Sequence, residues 1–375
     1  MHLSKKIGLF LGPLLFFIIQ ILPSTLVSKT GDAVIAVAIW MVIWWITETV
    51  NIAVTALLPL ILFPLLAIAL NITLFAFAPM LLIIVGINPN SEKGKSAKLL
   101  LPSLAPGLSC FPFILEFLGD NSLAKAAMAD LGNKFFVLFL LYLIALRWYY
   151  KNTDFEVSSL QSKLKSLAKT LLYEPVNLFI IAALVLVSFG VTLDKMPNFI
   201  AITINRLSYL MTPLVLIFIG LAVKIGKKQF FQIFSLLLLR ASFTLILIAG
   251  IVFLVDIKMT NDILVMIAFS LSACSFWPFA HISAINFKEK KENIKQKTFD
   301  TNFALSILAL SLPISVLLIL AILTAGNTFT SITNVLILAG CLTVLGAIYP
   351  ILIKCKTIIK INSKKETKVE FSIDK

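Results

Sequence analysis

Long apolar runs alternate with short polar segments along almost the whole chain. At about 20 apolar residues per crossing, about twelve of these runs are long enough to span a bilayer. The pattern therefore predicts an all-α polytopic membrane protein with about twelve transmembrane helices. The predicted spans are residues 7–23, 34–50, 52–70, 73–88, 97–118, 128–149, 176–192, 206–224, 230–255, 262–285, 300–324 and 332–353.

Lysines concentrate in the polar segments that lie on one side of the membrane when there are twelve spans. These segments are the N-terminus, the even-numbered loops from the fourth to the tenth, and the C-terminal tail. Because positively charged loops stay in the cytoplasm, both termini are predicted to be cytoplasmic. The Lys-, Ile- and Phe-rich composition indicates a bacterial source, so the expected location is the plasma (inner) membrane, in contact with membrane lipids.

Residues 151–175 divide the chain into two halves. Leu160, Leu164, Leu167 and Leu171 recur there at helical spacing with lysines between them, which predicts an amphipathic helix on the cytoplasmic surface. This helix would either contact anionic lipid or pack on the bundle as a linker. Spans two to six precede it and spans seven to eleven follow it. An odd number of spans in each half reverses the orientation, which predicts two inverted five-helix repeats.

The predicted organisation follows from this division. It comprises residues 1–72 as N-terminal scaffold helices, 73–150 as the rest of the first repeat, 151–175 as the linker, 176–325 as the second repeat, and 326–375 as the last transmembrane helix with a Lys-rich cytoplasmic tail.

One short pattern occurs once in each half, as Ser109-Cys110-Phe111-Pro112-Phe113 and as Ser275-Phe276-Trp277-Pro278-Phe279. A proline removes a helix hydrogen bond, and lipid offers no partner for the freed groups. Matched breaks in two halves of a chain point to the substrate site of a secondary transporter. The patterns predict broken helices at 97–118 and 262–285. Ordinary proline kinks are the alternative.

The predicted substrate-binding residues are Ser109, Pro112, Ser275, Pro278 and Arg240. Half-helix N-termini at the breaks would attract an anion, and the serine hydroxyls would add donors. Arg240 falls near the middle of its span, where an arginine costs about 2.5–3.5 kcal/mol on insertion scales. It would pair with a carboxylate substrate through its planar fork, or else with an acidic side chain or carbonyl groups of the protein.

The predicted ion-coupling residues are Asp130 with Asn133, Asp300 with Asn302, and His281. The first two pairs are predicted to open the fifth span of each half, where acidic groups mark proton or cation paths. Helix capping at the interface is the alternative for these pairs. His281 follows the second proline pattern and would titrate near neutral pH, or serve as a hydrogen-bonded packing residue.

Composition excludes several other classes of protein. The chain is 59% hydrophobic and 13% charged, against roughly 45–50% and 25% in soluble domains. The net charge of +14 follows from the loop lysines, so no nucleic-acid partner is expected. The cysteines show no metal-ligand spacing, and the chain has only 2 histidines and no phosphate-binding loop. We therefore expect neither an enzyme nor a bound cofactor or metal.

From about residue 75 to 325 the chain resembles the auxin efflux carrier family in its bacterial permease form. The matching stretches are Phe111-Pro112 through Gly119, Ala129 through Phe136, Thr212-Pro213-Leu214 through Leu221, Leu239-Arg240-Ala241, and Phe299 through Phe303. The resemblance implies two inverted repeats with broken helices that cross at the substrate site, transport of small organic anions such as carboxylates, and a homodimer. Family members often carry an Asn before the first Phe-Pro, whereas this chain has Ala105-Pro106-Gly107 there, so its substrate contacts need not match theirs.

Residues 34–66 instead resemble the N-terminal signature of the divalent-anion:sodium symporters. The matching runs are Trp40 through Glu48 and Ala53 through Pro59. The paired sodium and carboxylate motifs of that family are absent from this sequence. The leading hypothesis is thus a secondary active transporter of a small organic anion, coupled to protons or sodium. A sodium-coupled dicarboxylate symporter and a non-transporting membrane scaffold remain as alternatives.

Overall fold

The computed structural model describes residues 3–21, 29–47, 58–152, 182, 186, 191, 195–222, 225–294 and 296–373. Within these ranges the chain forms helices and contains no strand. The helices are α1 (Leu3–Ile21), α2 (Lys29–Ile46), α3 (Leu58–Ile84), α4 (Glu92–Leu100), α5 (Pro106–Ser109), α6 (Phe111–Leu118), α7 (Asp120–Phe135), α8 (Leu141–Asn152), α9 (Asn198–Ala222), α10 (Lys227–Val255), α11 (Thr260–Ser270), α12 (Phe276–Lys291), α13 (Thr301–Ala325) and α14 (Ile332–Ile373). The predicted amphipathic linker and most of the span at 176–192 lie outside the described residues.

The described helices fit a polytopic membrane protein. Among the described residues, 5 segments are long and apolar enough to cross a bilayer: Phe63–Ile84, Asp120–Asn152, Lys227–Val255, Thr301–Thr330 and Ile332–Ile353. The all-helical prediction is confirmed in this coarse form. The figure of twelve spans and the inverted repeats stay predictions.

Two predicted spans, 52–70 and 73–88, meet in the single helix α3, which begins at Leu58 and ends at Ile84. They are predicted as separate spans, but the helix continues through Asn71 between them. This polar residue is fully buried, and its amide nitrogen lies 3.1 Å from Oδ1 of Asn133 in α7. A side-chain partner inside the bundle therefore permits a polar residue that would otherwise indicate a loop.

Two stretches of helix are interrupted by irregular segments. The first consists of α4, an irregular segment at 101–105, and the short helices α5 and α6, which are separated by Cys110. The second consists of α11, an irregular segment at 271–275, and α12. The irregular segments fall within 97–118 and 262–285, the ranges in which broken helices are predicted.

Longer helices pack beside the interrupted ones. Helix α10 packs along α14, where Oγ of Ser242 donates to the carbonyl of Ala339 at 2.7 Å and lies 2.6 Å from Oγ1 of Thr343. Helices α7 and α8 form one continuous rod that contains a π-helical turn at Phe136–Leu140. Helix α3 runs against α7, so Asn71 and Asn133 meet close to the first interruption.

Gly132 sets the close approach of α7 to α3. A Cβ atom at this position would lie 1.9 Å from the backbone oxygen of Pro64, so the helices would have to separate. We expect Gly132→Ala to lower the free energy of unfolding by about 1–3 kcal/mol, the usual cost of overpacking. Thermal unfolding of the purified protein in detergent measures this effect.

Gly250 in α10 provides the matched control, because nothing lies within 4 Å of a Cβ atom built there. Gly250→Ala should leave the unfolding temperature unchanged or raise it, since Ala favours a helix over Gly. Equal destabilisation by the two substitutions would contradict the helix contact.

Candidate functional site: the crossover of two interrupted helices

The irregular segments of the two interrupted helices lie against each other, and we call residues 101–105 and 271–275 the crossover. The N–H of Ala105 donates to the carbonyl of Ala273 at 2.8 Å. In return, the N–H of Ala273 donates to Oγ of Ser109 at 2.9 Å, and the N–H of Ser275 donates to Oγ of Ser103 at 3.0 Å. Segments far apart in sequence thus satisfy each other's backbone groups.

Every backbone N–H of the crossover has an acceptor within the protein. The donors are Leu101, Ser103, Leu104, Ala105, Leu271, Ser272, Ala273, Cys274 and Ser275, while Pro102 has no N–H. An unpaired buried N–H costs as much as a lost hydrogen bond, and lipid supplies no substitute. The breaks are therefore compatible with the membrane because the crossover satisfies its own donors.

Arg240 connects the two halves of the crossover from α10. Its Nε donates to the carbonyl of Leu101 at 2.7 Å, and its two Nη atoms donate to the carbonyls of Ser272 at 3.1 Å and Ser103 at 3.2 Å. The side chain is only 4% exposed. The structure matches one of the alternatives for Arg240, in which the guanidinium pairs with carbonyl groups of the protein.

The guanidinium of Arg240 has no acidic partner in the part of the chain that the structure describes. The salt bridges found there join Lys125 to Asp262, Lys134 to Asp130, and Lys258 to Asp256. Carbonyl dipoles stabilise the arginine but leave its net charge in place, and the side chain has further N–H groups beyond the three in use. The crossover therefore holds a buried positive charge that an anion would neutralise.

Both polar side-chain atoms of Asn133 in α7 bond to the first segment of the crossover. Its Nδ2 donates to the carbonyl of Leu104 at 2.9 Å, and its Oδ1 accepts the N–H of Leu104 at 3.2 Å. The same Nδ2 donates to Oδ1 of Asp130 at 2.9 Å. Oδ2 of Asp130 lies 3.0 Å from Nζ of Lys134, whose side chain is 60% exposed. Oδ1 of the adjacent Asn71 is buried without a hydrogen-bonding partner.

The two predicted ion-coupling pairs occupy different environments. Helix α7 begins at Asp120 rather than near residue 128, so Asp130 and Asn133 lie well inside the helix and beside the crossover. Asp300 instead caps α13 by accepting the N–H of Phe303 at 2.9 Å, and Asn302 is exposed. The structure thus brings only the first pair to the crossover. Asp300 matches the alternative interpretation, in which it caps a helix.

The prolines of the two patterns lie just after the breaks rather than in them. Pro112 is the second residue of α6, and Pro278 is the third residue of α12. A first-turn N–H has no partner inside a helix, so proline is tolerated there. The two serines also differ, because Ser109 ends α5 whereas Ser275 is the N-cap of α12 and accepts the N–H of Trp277. Relative to the start of the helix that follows, the two copies are therefore offset by one residue.

His281 lies in α12, away from the irregular segments. Its Nε2 is 3.2 Å from the carbonyl of Val137 in the π-helical turn, and its ring centroid is 4.9 Å from that of Tyr142. The side chain is buried. This geometry matches the alternative interpretation of His281 as a hydrogen-bonded packing residue.

Three contributors to the site were not identified from the sequence: Asn71, Ser103 and Ser311. Oγ of Ser311 accepts the N–H of Cys274 at 3.2 Å, so it supports the second segment as Asn133 supports the first. Asn71 was visible only as a polar residue between two predicted spans. The serines gave no signal, because serine is common in membrane helices and its partners here are distant in sequence.

No group of three or more His, Cys, Asp or Glu side chains in the described ranges could hold a metal ion. The polar groups of the crossover are instead a guanidinium, amides, hydroxyls and one carboxylate. This set can bind an anion at Arg240 and a small cation or a proton at Asp130.

Comparison with known proteins finds a short similarity in the N-terminal region. The chain is 48% identical over 65 residues to a sodium-dependent dicarboxylate transporter, SdcS, of Staphylococcus saprophyticus, which covers 17% of this chain and 12% of the relative. It is 49% identical over 64 residues to SdcS of Staphylococcus aureus strain USA300, covering 16% and 12%. The chain thus spans about an eighth of the length of the curated relatives it matches.

No protein-family model matches the chain. No solved structure matches it either. The similarity to dicarboxylate transporters is therefore confined to a short region, and the crossover is assessed on its own geometry.

Asn133 should be essential for the stability of the crossover. Asn133→Leu keeps the side-chain size but leaves the buried N–H and C=O of Leu104 unpaired, at about 1–3 kcal/mol for each unsatisfied group. We expect a clear fall in the unfolding temperature in detergent. Asn302→Leu, at the exposed second residue of α13, should have little effect. Similar unfolding temperatures for the two variants would show that Asn133 does not support the crossover.

Proposed function

We propose that the protein is a secondary active transporter of a small organic anion, a carboxylate, that works by alternating access. The observation that carries the proposal is the buried guanidinium of Arg240, which lies between two unwound segments and has no acidic partner in the described chain. The short similarity to sodium-dependent dicarboxylate transporters supports the same substrate class.

Two half-helices would add to the positive potential at Arg240. Helix α12 begins directly after the second segment of the crossover, α6 begins at Phe111 after the short helix α5, and a helix N-terminus carries a partial positive charge. A carboxylate fits a guanidinium fork through two parallel hydrogen bonds. The expected substrate-binding set is Arg240 with the segments that Ser109 and Ser275 support, and Pro112 and Pro278 shape the helix starts.

Hydrogen bonds hold the two segments of the crossover together, so we expect them to move as one unit. The segments are joined directly by Ala105 and Ala273 and indirectly by Arg240. In many transporters, one bundle rocks against another around a fixed central site. We expect the direct hydrogen bonds between its two segments, such as that from Ala105 to Ala273, to persist while the surrounding helices expose the crossover to one side and then the other. Inverted repeats of the auxin efflux carrier type, a homodimer and a bacterial inner-membrane location belong to this proposal.

Asp130 is the candidate coupling group, together with Asn133 and Asn71. It is the carboxylate nearest to the crossover in this bonding network, and the unpaired Oδ1 of Asn71 would suit a small cation. The other predicted ion-coupling residues are weaker candidates. Asp300 caps a helix, Asn302 is exposed, and His281 is a packing residue.

A sodium-coupled dicarboxylate symporter is the second candidate function. The similarity to SdcS favours it, because those relatives are named sodium-dependent transporters. Uptake of labelled malate and other carboxylates into proteoliposomes, with sodium and proton gradients imposed separately, distinguishes the candidates. Saturable uptake driven by protons supports the first, and uptake driven by sodium supports the second. Folded protein without saturable flux of any anion would overturn both and favour a membrane scaffold.

Arg240→Lys tests the anion site. Lysine keeps the charge but loses the planar fork, and a buried charge that loses its partners costs about 2–5 kcal/mol. We expect carboxylate uptake in proteoliposomes to fall by about 30-fold or more. Arg147→Lys is the control, because Arg147 is exposed on α8. Unchanged uptake in a folded Arg240→Lys protein would remove Arg240 from the site.

Asp130→Asn tests the coupling site. The substitution preserves the shape of the side chain but removes its charge, so uptake should lose its dependence on the driving cation gradient. Exchange of internal for external substrate, which needs no net cation movement, should persist. Asp300→Asn alters a helix cap and should retain gradient-driven uptake. Full gradient dependence in the Asp130→Asn protein would place coupling elsewhere.

A further inference from the structure

The Lys-rich end of α12 contains a polar cluster that the crossover does not use. Helix α12 ends in a Schellman motif, in which the N–H of Asn293 bonds to the carbonyl of Lys290 and that of Ile294 bonds to the carbonyl of Glu289. Asn293 has the left-handed φ of 53° that this motif needs. The motif turns the chain back, so that residue 298 lies beside the helix it has just left.

Glu289 and Thr298 meet at this turn. Oε1 of Glu289 accepts the N–H of Thr298 at 2.9 Å. Glu289 is 2% exposed and Thr298 is fully buried. Asn152 of α8 supports the same loop, because its Nδ2 donates to the carbonyl of Gln296 at 2.8 Å. The cluster is thus enclosed by the end of α12, its following loop and α8.

Three buried oxygen atoms in this cluster have no hydrogen-bonding partner: Oε2 of Glu289, Oγ1 of Thr298 and Oδ1 of Asn286. Asn286 and Glu289 are three residues apart on α12, so their side chains are neighbours on one helix face. Orphaned buried polar atoms are rare in proteins and require an explanation. A carboxylate, a hydroxyl and an amide oxygen together form a set of hard oxygen ligands.

The nearby lysines do not supply the missing partner. Lys288 lies over the rings of Tyr149 and Tyr150, with Nζ 4.9 and 5.4 Å from their centroids, and Lys290 and Lys291 are exposed. No salt bridge of Glu289 occurs among the described residues. The other acid at this helix end, Glu292, is exposed and already bonded to the hydroxyl of Tyr149.

We infer that Asn286, Glu289 and Thr298 form a binding site for a monovalent alkali cation, separate from the crossover. One carboxylate and two neutral oxygens match a single positive charge, whereas divalent sites in proteins commonly use more carboxylates. The C-terminus of α12 adds a partial negative charge that favours a cation. Bound there, the cation would connect the end of a half-helix to the loop that leads into α13.

The test is the thermal unfolding of purified protein in NaCl, KCl, LiCl and choline chloride at equal ionic strength. We expect an alkali cation to raise the unfolding temperature by about 2–4 °C over choline. Glu289→Gln and Thr298→Val should each abolish this shift. Glu292→Gln should retain it, because that carboxylate belongs to the same helix end but has its own partner.

Other outcomes overturn the site. A shift that survives Glu289→Gln and Thr298→Val but disappears in Asp130→Asn would place the cation at the crossover instead. Equal unfolding temperatures in all four salts would exclude the site. If the variants fail to fold, hydrogen exchange of the wild-type protein decides. Residues 293–299 should exchange more slowly in the stabilising cation than in choline, and equal exchange rates would exclude the site.

Discussion

The satisfaction of backbone groups at two helix breaks inside an apolar bundle is the constraint on which the rest of the structure depends. Each break frees N–H and C=O groups that lipid cannot solvate. Asn133 supplies the partner for Leu104, while Ser109 and Ser103 supply partners for the opposite segment. Arg240 then satisfies carbonyls on both sides. Because the bonds of Ser103, Ser109 and Arg240 join the two breaks, neither break could keep them without the other.

The arginine that satisfies these carbonyl groups also places a positive charge inside the bundle. A neutral donor such as a serine would stabilise one carbonyl, but a guanidinium reaches three and brings a full positive charge into a buried position. Such a charge is costly unless an opposite charge shares the site. An organic anion would supply the opposite, negative charge when it binds and take that negative charge away when it leaves. The same contacts therefore stabilise the bundle and would favour an anionic ligand.

The sequence predicted broken helices within 97–118 and 262–285 but not the contacts that stabilise the irregular segments found there. Pro112 and Pro278 lie in the first turns of the helices that follow these segments rather than in the segments. Asn71 was left between two predicted spans, because the burial of its amide depends on Asn133, 62 residues away. The role of Ser311 was invisible for the same reason. Local pattern thus determines where a helix stops, while the partners of the freed groups depend on packing between distant segments.

One segment of the crossover also connects the two charges of the proposed transport cycle. Leu101 and Ser103 give their carbonyls to Arg240, and Leu104, in the same segment, is bound by Asn133, which also contacts Asp130. An anion that draws Arg240 away from these carbonyls would change the position of 101–105 and hence the surroundings of Asp130. Two sites are coupled when both ligands change the position of one shared element. The short irregular segment, rather than either helix it joins, is the part of the molecule placed to perform it.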